Sequence, residues 1–405
     1  MAKAHGSKDA GAQSRLQSQG QAPYAQAETK VNRYLIGTRL AWLWLLAFPL
    51  ATLPAQPLKW IRPNTAGDGF VRGERAEPFR AWGFNYDHDE PGRLLEDYWD
   101  KEWDTVAADF AEMKALGANV VRIHLQLGRF MDTQDQPNTK ELTQLKRLIR
   151  LAEETGLYLN LTGLGCYHKK DVPLWYDPLD ETARWKTQAR FWVAIAKAGT
   201  DSPAIFCYDL MNEPILPGKK KATDWLAGEF GGKHFVQRIA LDLNGRTRQQ
   251  VAKAWVDKLV TAIRRHDQRH MITVGVIPWA LTFPGAKPLF YAPEVGAKLD
   301  FVSVHFYPKT GEVDKALKAL AVYDVGKPLV IEEMFPLKCG LPELDQFVTQ
   351  SAKTTDGWIG FYWGRTLEEY RTDKASLRSA VILQWLEYFQ TNARLRTGVP
   401  GNKRR

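Results

Sequence analysis

Cysteine is scarce in this chain: Cys166, Cys207 and Cys339 are the three among 405 residues. Three cysteines make no disulfide framework, and none pairs with a second cysteine or a histidine at zinc spacing. Cys207, inside an apolar run, reads as a small core residue. A glycine-rich phosphate fingerprint is missing too, which removes the usual mark of a doubly wound nucleotide-binding sheet. No unit of 20–50 residues recurs, so the chain is not a solenoid. Net charge is absent from the body. Residues 1–55 hold six basic and two acidic residues, and 391–405 hold five basic and no acidic ones. These ends carry +4 and +5, which accounts for the whole formal charge of +9. A phosphate-binding face on the body is therefore not supported, and Lys219-Lys220-Lys221 reads as a solvated loop; nucleic acid is not an expected partner. The apolar run Ala41–Leu53 contains Pro49 and is too short for an ordinary membrane span.

That run fits a different purpose. Arg33 and Arg39 precede it and Pro54-Ala55-Gln56 follows it, the order of a basic region, an apolar region and a small residue at a cleavage site. Residues 1–55 are expected to be a polar leader plus a signal peptide or an N-terminal membrane anchor through 41–53, and the protein to be exported. A docked apolar helix after a disordered extension is the alternative. Residues 392–405 are expected to be a basic, disordered tail.

What remains, 56–391, is rich in alternation. Apolar strand candidates begin at Arg80, Asn119, Leu157, Ala204, Met271, Phe301, Pro328 and Trp358. Between them lie helical or irregular segments. Around 100–116, Trp103, Val106, Phe110, Met113 and Leu116 follow helical spacing, and Gly117 stands where a helix C-terminal glycine belongs. Further helices are expected near 139–155, 180–198, 247–265, 312–322, 342–353 and 375–390, and loops over 215–246. Eight strands alternating with crossovers indicate a parallel sheet closed on itself: an α/β fold, a (β/α)8 TIM barrel, in a single catalytic domain.

In such a barrel the C-terminal strand tips carry the chemistry. Here they carry Asn85 and Tyr86, Arg122 and His124, His168, Asn212 and Glu213, Trp279, His305 and Tyr307, Glu333, and Trp363. Singly, each has a plain structural explanation; Asn212-Glu213-Pro214, for instance, could cap a helix. Together they concentrate polar and aromatic groups at one face. Two carboxylates facing each other among aromatics are the equipment for glycosidic bond cleavage, one as acid and one as nucleophile. On the seventh strand, Leu329, Ile331 and Glu333 share one face, and Val330 and Glu332 the other. Glu333, at the tip, is the better candidate, with Glu332 as a supporting carboxylate or the partner of a nearby cation.

Five motifs in this order resemble glycoside hydrolase family 5, the cellulase-type retaining (β/α)8 glycosidases, over residues 78–370. They are Gly117–Arg122, Asn212-Glu213-Pro214, His305-Phe306-Tyr307, Lys327–Glu333 and Trp363. The resemblance implies Glu213 as acid/base and Glu333 as nucleophile. It implies that Arg122 and Tyr307 hold Glu333, that Asn212 binds the sugar 2-hydroxyl, and that His305, Trp363 and His168 line the sugar site. Met334-Phe335-Pro336 departs from the Glu-Phe-Gly common in the family. The substrate is expected to be a β-linked carbohydrate, cut without metal or organic cofactor by a monomer. Three other readings stay open: a non-catalytic glycan-binding barrel, a metal-dependent barrel hydrolase using His124, His168 and His305, and a membrane-anchored interaction protein.

Overall fold

The computed structural model describes residues 57–373 and 376–398. The expected leader, signal peptide or anchor lies outside the described residues, as does 399–405. The chain opens with a small antiparallel sheet that the sequence did not announce: β1 (Ile61–Pro63), β2 (Phe70–Arg72) and β3 (Glu77–Phe79). Eight barrel positions follow. They are β4 (Ala81–Asn85), β5 (Val120–Gln126), β6 (Tyr158–Gly165), β7 (Ile205–Asp209), a fifth position made of two pieces, β12 (Val302–His305), β13 (Leu329–Glu333) and β14 (Gly357–Phe361). Before the fifth position lies a two-residue pair, β8 (Pro214–Ile215) at the start of the 215–246 segment and β9 (Gln237–Arg238) within it.

The fifth position is β10 (Met271–Thr273) and β11 (Gly275–Val276), interrupted at Val274. β10 pairs with β7 and β11 with β12, so the kinked strand closes the parallel ring. A break in a buried ladder leaves backbone groups without partners. The Tyr291 hydroxyl fills it, accepting from the N–H of Val274 (3.2 Å) and Ser303 (2.9 Å) and donating to the Val274 carbonyl (2.5 Å).

The expected helices are present at Trp103–Ala115, Thr139–Thr155, Glu181–Gly199, Arg248–Arg264, Val313–Leu320 and Leu341–Ser351. Local chemistry sets their ends. Asn138, Asp180 and Thr247 accept from first-turn N–H groups, each worth about 1 kcal/mol, and Gly156 ends the second helix at φ +68°.

The last helix corrects the reading of the tail. It spans Leu377–Thr397, so 392–397 is helical rather than disordered. Arg396 is the reason: it is buried and donates to Asp345 (3.1 Å) and Thr349 (2.8 Å), a partnership that basic composition does not reveal.

The N-terminal end of the barrel is sealed. Phe70 and Phe79 of the small sheet meet Phe206, Phe301 and Tyr158 edge-on or tilted, with ring centroids 5.2–5.9 Å apart. This apolar plug leaves the opposite, C-terminal end as the open face.

Candidate active site

Arg122 is the buried centre of that face. It enters from β5 with no exposed surface. A buried guanidinium needs its donors filled and its charge matched. Nη2 meets Asp209 at 2.9 Å and Asn212 Oδ1 at 2.8 Å, Nε meets Thr162 at 2.8 Å, and Nη1 meets Asn85 Oδ1 at 3.0 Å and Glu333 Oε1 at 2.7 Å. Tyr307 donates to the other Glu333 oxygen at 2.7 Å. Both oxygens of Glu333 are thereby fixed, and the carboxylate has one orientation.

Strand alternation puts Val330 and Glu332 inside the barrel, yet Glu333 reaches inside as well. The register explains how: Val304 pairs with Ile331, and His305 pairs with Glu333, which leaves Glu332 as an extra residue on β13. A bulge re-aims side chains in this way beside active sites. Glu332 is fully buried beneath the site. Its partners are Asn160, Arg122 Nε (3.7 Å) and His305 Nε2 (3.6 Å). Burial would raise its pKa, but Arg122 and His305 outweigh that and hold the carboxyl below the ordinary range, whereas burial and the nearby Glu332 push Asp209 up. The space here is made by Gly275, where a Cβ would sit 2.5 Å from Glu332 Oε2 and 2.9 Å from His305 Nε2.

Glu213 arrives differently. β7 ends at Asp209, and no helix follows, so Asn212 is not a cap; its Oδ1 serves Arg122 and its Nδ2 donates to the Phe235 carbonyl at 3.0 Å. Glu213 sits at φ +45°, a strained conformation for a residue with a Cβ. Its N–H donates to the Gly275 carbonyl at 2.9 Å, and the β8–β9 pair holds the chain just beyond. The side chain meets His305 Nδ1 at 2.9 Å, and the same nitrogen lies 3.4 Å from Glu333. One ligand atom each from Glu213, His305 and Glu333 fall within 4.8 Å of one another. Burial would lower the pKa of His305, but Glu333, Glu213 and Glu332 raise it to about 10. In that state its Nδ1 donates to Glu213.

The cleft above has a volume of about 890 Å³ and is lined by Asn212, Glu213, Tyr307, Glu333 and Trp363. Trp363 stacks on Phe361, with centroids 5.6 Å apart at 8°. His168 stands apart from this cleft. Its Nδ1 faces the Gly232 carbonyl at 3.2 Å, and it lines a separate pocket with Cys166 and Asp171. β6 carries an extra residue near Leu164 (φ +61°) against β5, which turns Tyr167 toward His124 and His168 away. The histidines that line the cleft are His124 and His88, with Asp87 beside them. Burial and Arg122 hold His124 neutral. Trp279 stacks on Phe283 outside the lining. Asp209, Asn160 and Thr162 were overlooked by sequence reasoning. A charged or polar residue inside an apolar strand was the available signal.

A family model described as Cellulase (glycosyl hydrolase family 5) matches residues 76–365. Similar solved structures include the catalytic domain of endoglucanase Cel5A from Thermobifida fusca, at 17% identity over 80% of this chain and 95% of that one, TM-score 0.52. The β-mannanase of the blue mussel Mytilus edulis is 16% identical over 83% and 97%, TM-score 0.56. The exo-β-1,4-mannosidase Op5Man5 from Opitutaceae bacterium strain TAV5 is 16% identical over 82% of this chain and 62% of its own length, TM-score 0.60. Comparison with curated proteins gives no match. These likenesses show the (β/α)8 barrel, and the family match covers most of the chain: it belongs to glycosyl hydrolase family 5 and is a retaining glycosidase that cleaves O-glycosidic bonds.

Proposed function

We propose that Glu333 is the nucleophile and Glu213 the acid/base of a double displacement on a β-linked glycoside. The observation that carries this is the unequal treatment of the two carboxyls. Glu333 has an oxygen on Arg122 and another on Tyr307, which fixes its orientation toward the cleft. Glu213 has a single charged neighbour in contact, His305, at 2.9 Å. A 2.9 Å contact between a carboxyl oxygen and a ring nitrogen needs a proton between them, on one atom or the other. A separation within 4.8 Å for the chosen oxygens suits retention, which needs carboxyls about 5–5.5 Å apart rather than the ~6.5–9.5 Å of inversion.

In the first step Glu333 attacks the anomeric carbon while Glu213 gives its proton to the departing oxygen. In the second, Glu213 takes a proton from water, and that water releases the sugar from Glu333 with its configuration retained. Arg122 and Tyr307 position the nucleophile, Asn212 faces the sugar's reacting ring, and Trp363 offers it a flat apolar face, while His305, expected to line the sugar site, is buried and acts on Glu213 from behind. Export through the segment ending near Ala55 and a monomeric state complete the proposal.

The test is chemical rescue on aryl β-glycosides. Glu333→Ala should lose turnover and regain it with azide, giving the α-glycosyl azide. Glu213→Ala should lose about 10²–10⁴-fold with poor leaving groups, and azide should then give the β-product. The same azide product from both variants would sink the assignment.

A further inference from the structure

The cleft divides by chemistry. Polar groups gather round the carboxylate pair: Asp87 and His88 just beyond β4, and His124 on β5. Two buried atoms there, Asp87 Oδ1 and His124 Nε2, have no hydrogen-bond partner among the described residues. Such orphans are costly to leave unpaired, and sugar hydroxyls are suited to satisfy them. This is equipment for about one sugar ring.

The rest of the lining is largely apolar. Phe235 and Val236 come from the segment that follows Glu213. Phe335, Leu337 and Leu377 stand with Trp363 beyond Glu333. Leu377 is 83% exposed and Leu337 52%, and Phe230, on the same lining, is 69% exposed. Large apolar side chains left in water around one opening mark a binding surface rather than packing. An aromatic ring can stack on a sugar, but Val236, Leu337 and Leu377 offer hydroxyls no partner. A saccharide chain laid along them would bury hydroxyls unpaired, at a cost for each. Lys338 and Arg378 are the charged groups on this part of the lining, and both are exposed.

We infer that the substrate is a glycoside with an apolar aglycone, and that the Phe235–Val236 and Phe335–Leu377 walls hold the non-sugar part. The inference rests on Glu213 and Glu333 being the catalytic pair. The bond between the anomeric carbon and the aglycone oxygen breaks, and that oxygen takes the Glu213 proton and leaves as an alcohol. Water then supplies the hydroxyl of the released sugar and returns a proton to Glu213. No oxidant or further reactant is needed.

The experiment uses the full chain and β-glucosides and β-mannosides with methyl, butyl and octyl aglycones, below their micelle-forming concentrations. Steryl β-glucoside and β-1,4-linked oligosaccharides of both sugars complete the panel. Each buried CH₂ is worth about 0.8 kcal/mol, roughly fourfold, so kcat/KM should rise at least about tenfold from methyl to octyl even with partial burial. The double variant Leu377→Ser, Leu337→Ser should flatten that rise; both residues are exposed, so its fold is retained. Preference for the octyl or the steryl arm distinguishes a chain from a fused ring as the natural aglycone. A flat alkyl series with kcat/KM climbing along the oligosaccharides overturns the inference and leaves the catalytic assignment standing. Turnover that survives Glu333→Ala overturns the assignment and the inference with it.

Discussion

His305 is the charged partner of Glu213, 2.9 Å away through Nδ1. Burial would lower its pKa, but Glu333, Glu213 and Glu332 keep it protonated until the pH passes about 10. Losing that proton takes away the N–H that faces Glu213, so kcat/KM should have an alkaline limb near pH 10, and His305→Asn, which has no group titrating there, should remove it. A limb near pH 10 that persists in the variant would show that His305 does not set it. The neighbouring glutamates part at the same scale. Glu332 offsets two buried cations, so Glu332→Ala should cost about 3–5 kcal/mol in urea unfolding, while Glu333→Ala should cost less stability and all turnover. Equal unfolding losses would remove the distinction. The sequence made Glu213, Glu333, Arg122 and Tyr307 legible because tip residues follow from strand position. It could not show the bulge that aims both glutamates inward, nor separate His124 from His168, because one extra residue in a strand leaves no mark on hydrophobic periodicity.

The elements that could be read were those with long amphipathic periods or continuous apolar runs: eight barrel strands and seven helices. The small sheet β1–β3 was not, since three-residue strands carry too little pattern, and its Phe70 and Phe79 become meaningful only against Phe206 and Phe301. The broken fifth strand was read as continuous because the partner that permits the break, Tyr291, lies in an irregular stretch fifteen or more residues on. That hydroxyl has a cost when removed. Tyr291→Phe leaves the Val274 and Ser303 N–H groups buried without their acceptor, each worth about 1–3 kcal/mol. The variant should unfold about 2–4 kcal/mol more easily. It should also lose activity at temperatures where it is still folded, because Gly275, next to the break, accepts the Glu213 N–H. Full activity with reduced stability would show that the kink supports the ring but does not set Glu213. Denaturant unfolding and kcat/KM on the same preparation separate these outcomes.

For the molecule as a whole, the neutral body leaves local burial, not net charge, to set the response to pH. Burial raises Glu96 to about 7 and Asp109 to about 6, although hydrogen bonds from Gln126, and from Tyr86 and Tyr362, pull the other way. His305 stands at about 10 for the reason given above. All three hold protons more tightly folded than unfolded, so what they contribute is complete below their unfolded values and lost as pH rises through the folded ones. That decline runs from pH 4.5 to about 7 for Glu96, from 3.8 to about 6 for Asp109 and from 6.5 to about 10 for His305. Asp267 and Asp87 have the opposite sign. Burial would raise both, but His270 holds Asp267 at about 2 and His88 holds Asp87 low as well. Their contribution is present above an ordinary aspartate pKa and fails as acid protonates them. The two trends bracket a stability maximum at about pH 5, on the acid side of neutrality for a chain whose pI is near 9.2. Calorimetry should find Tm at pH 5 higher than at pH 8 by on the order of a few degrees. Glu96→Gln should reduce the slope between pH 5 and 7, because the amide has no proton to lose. A Tm that rises steadily from pH 5 to 8 would mean that Glu96 and Asp109 are already ionised in the folded barrel, and that their burial is relieved by water.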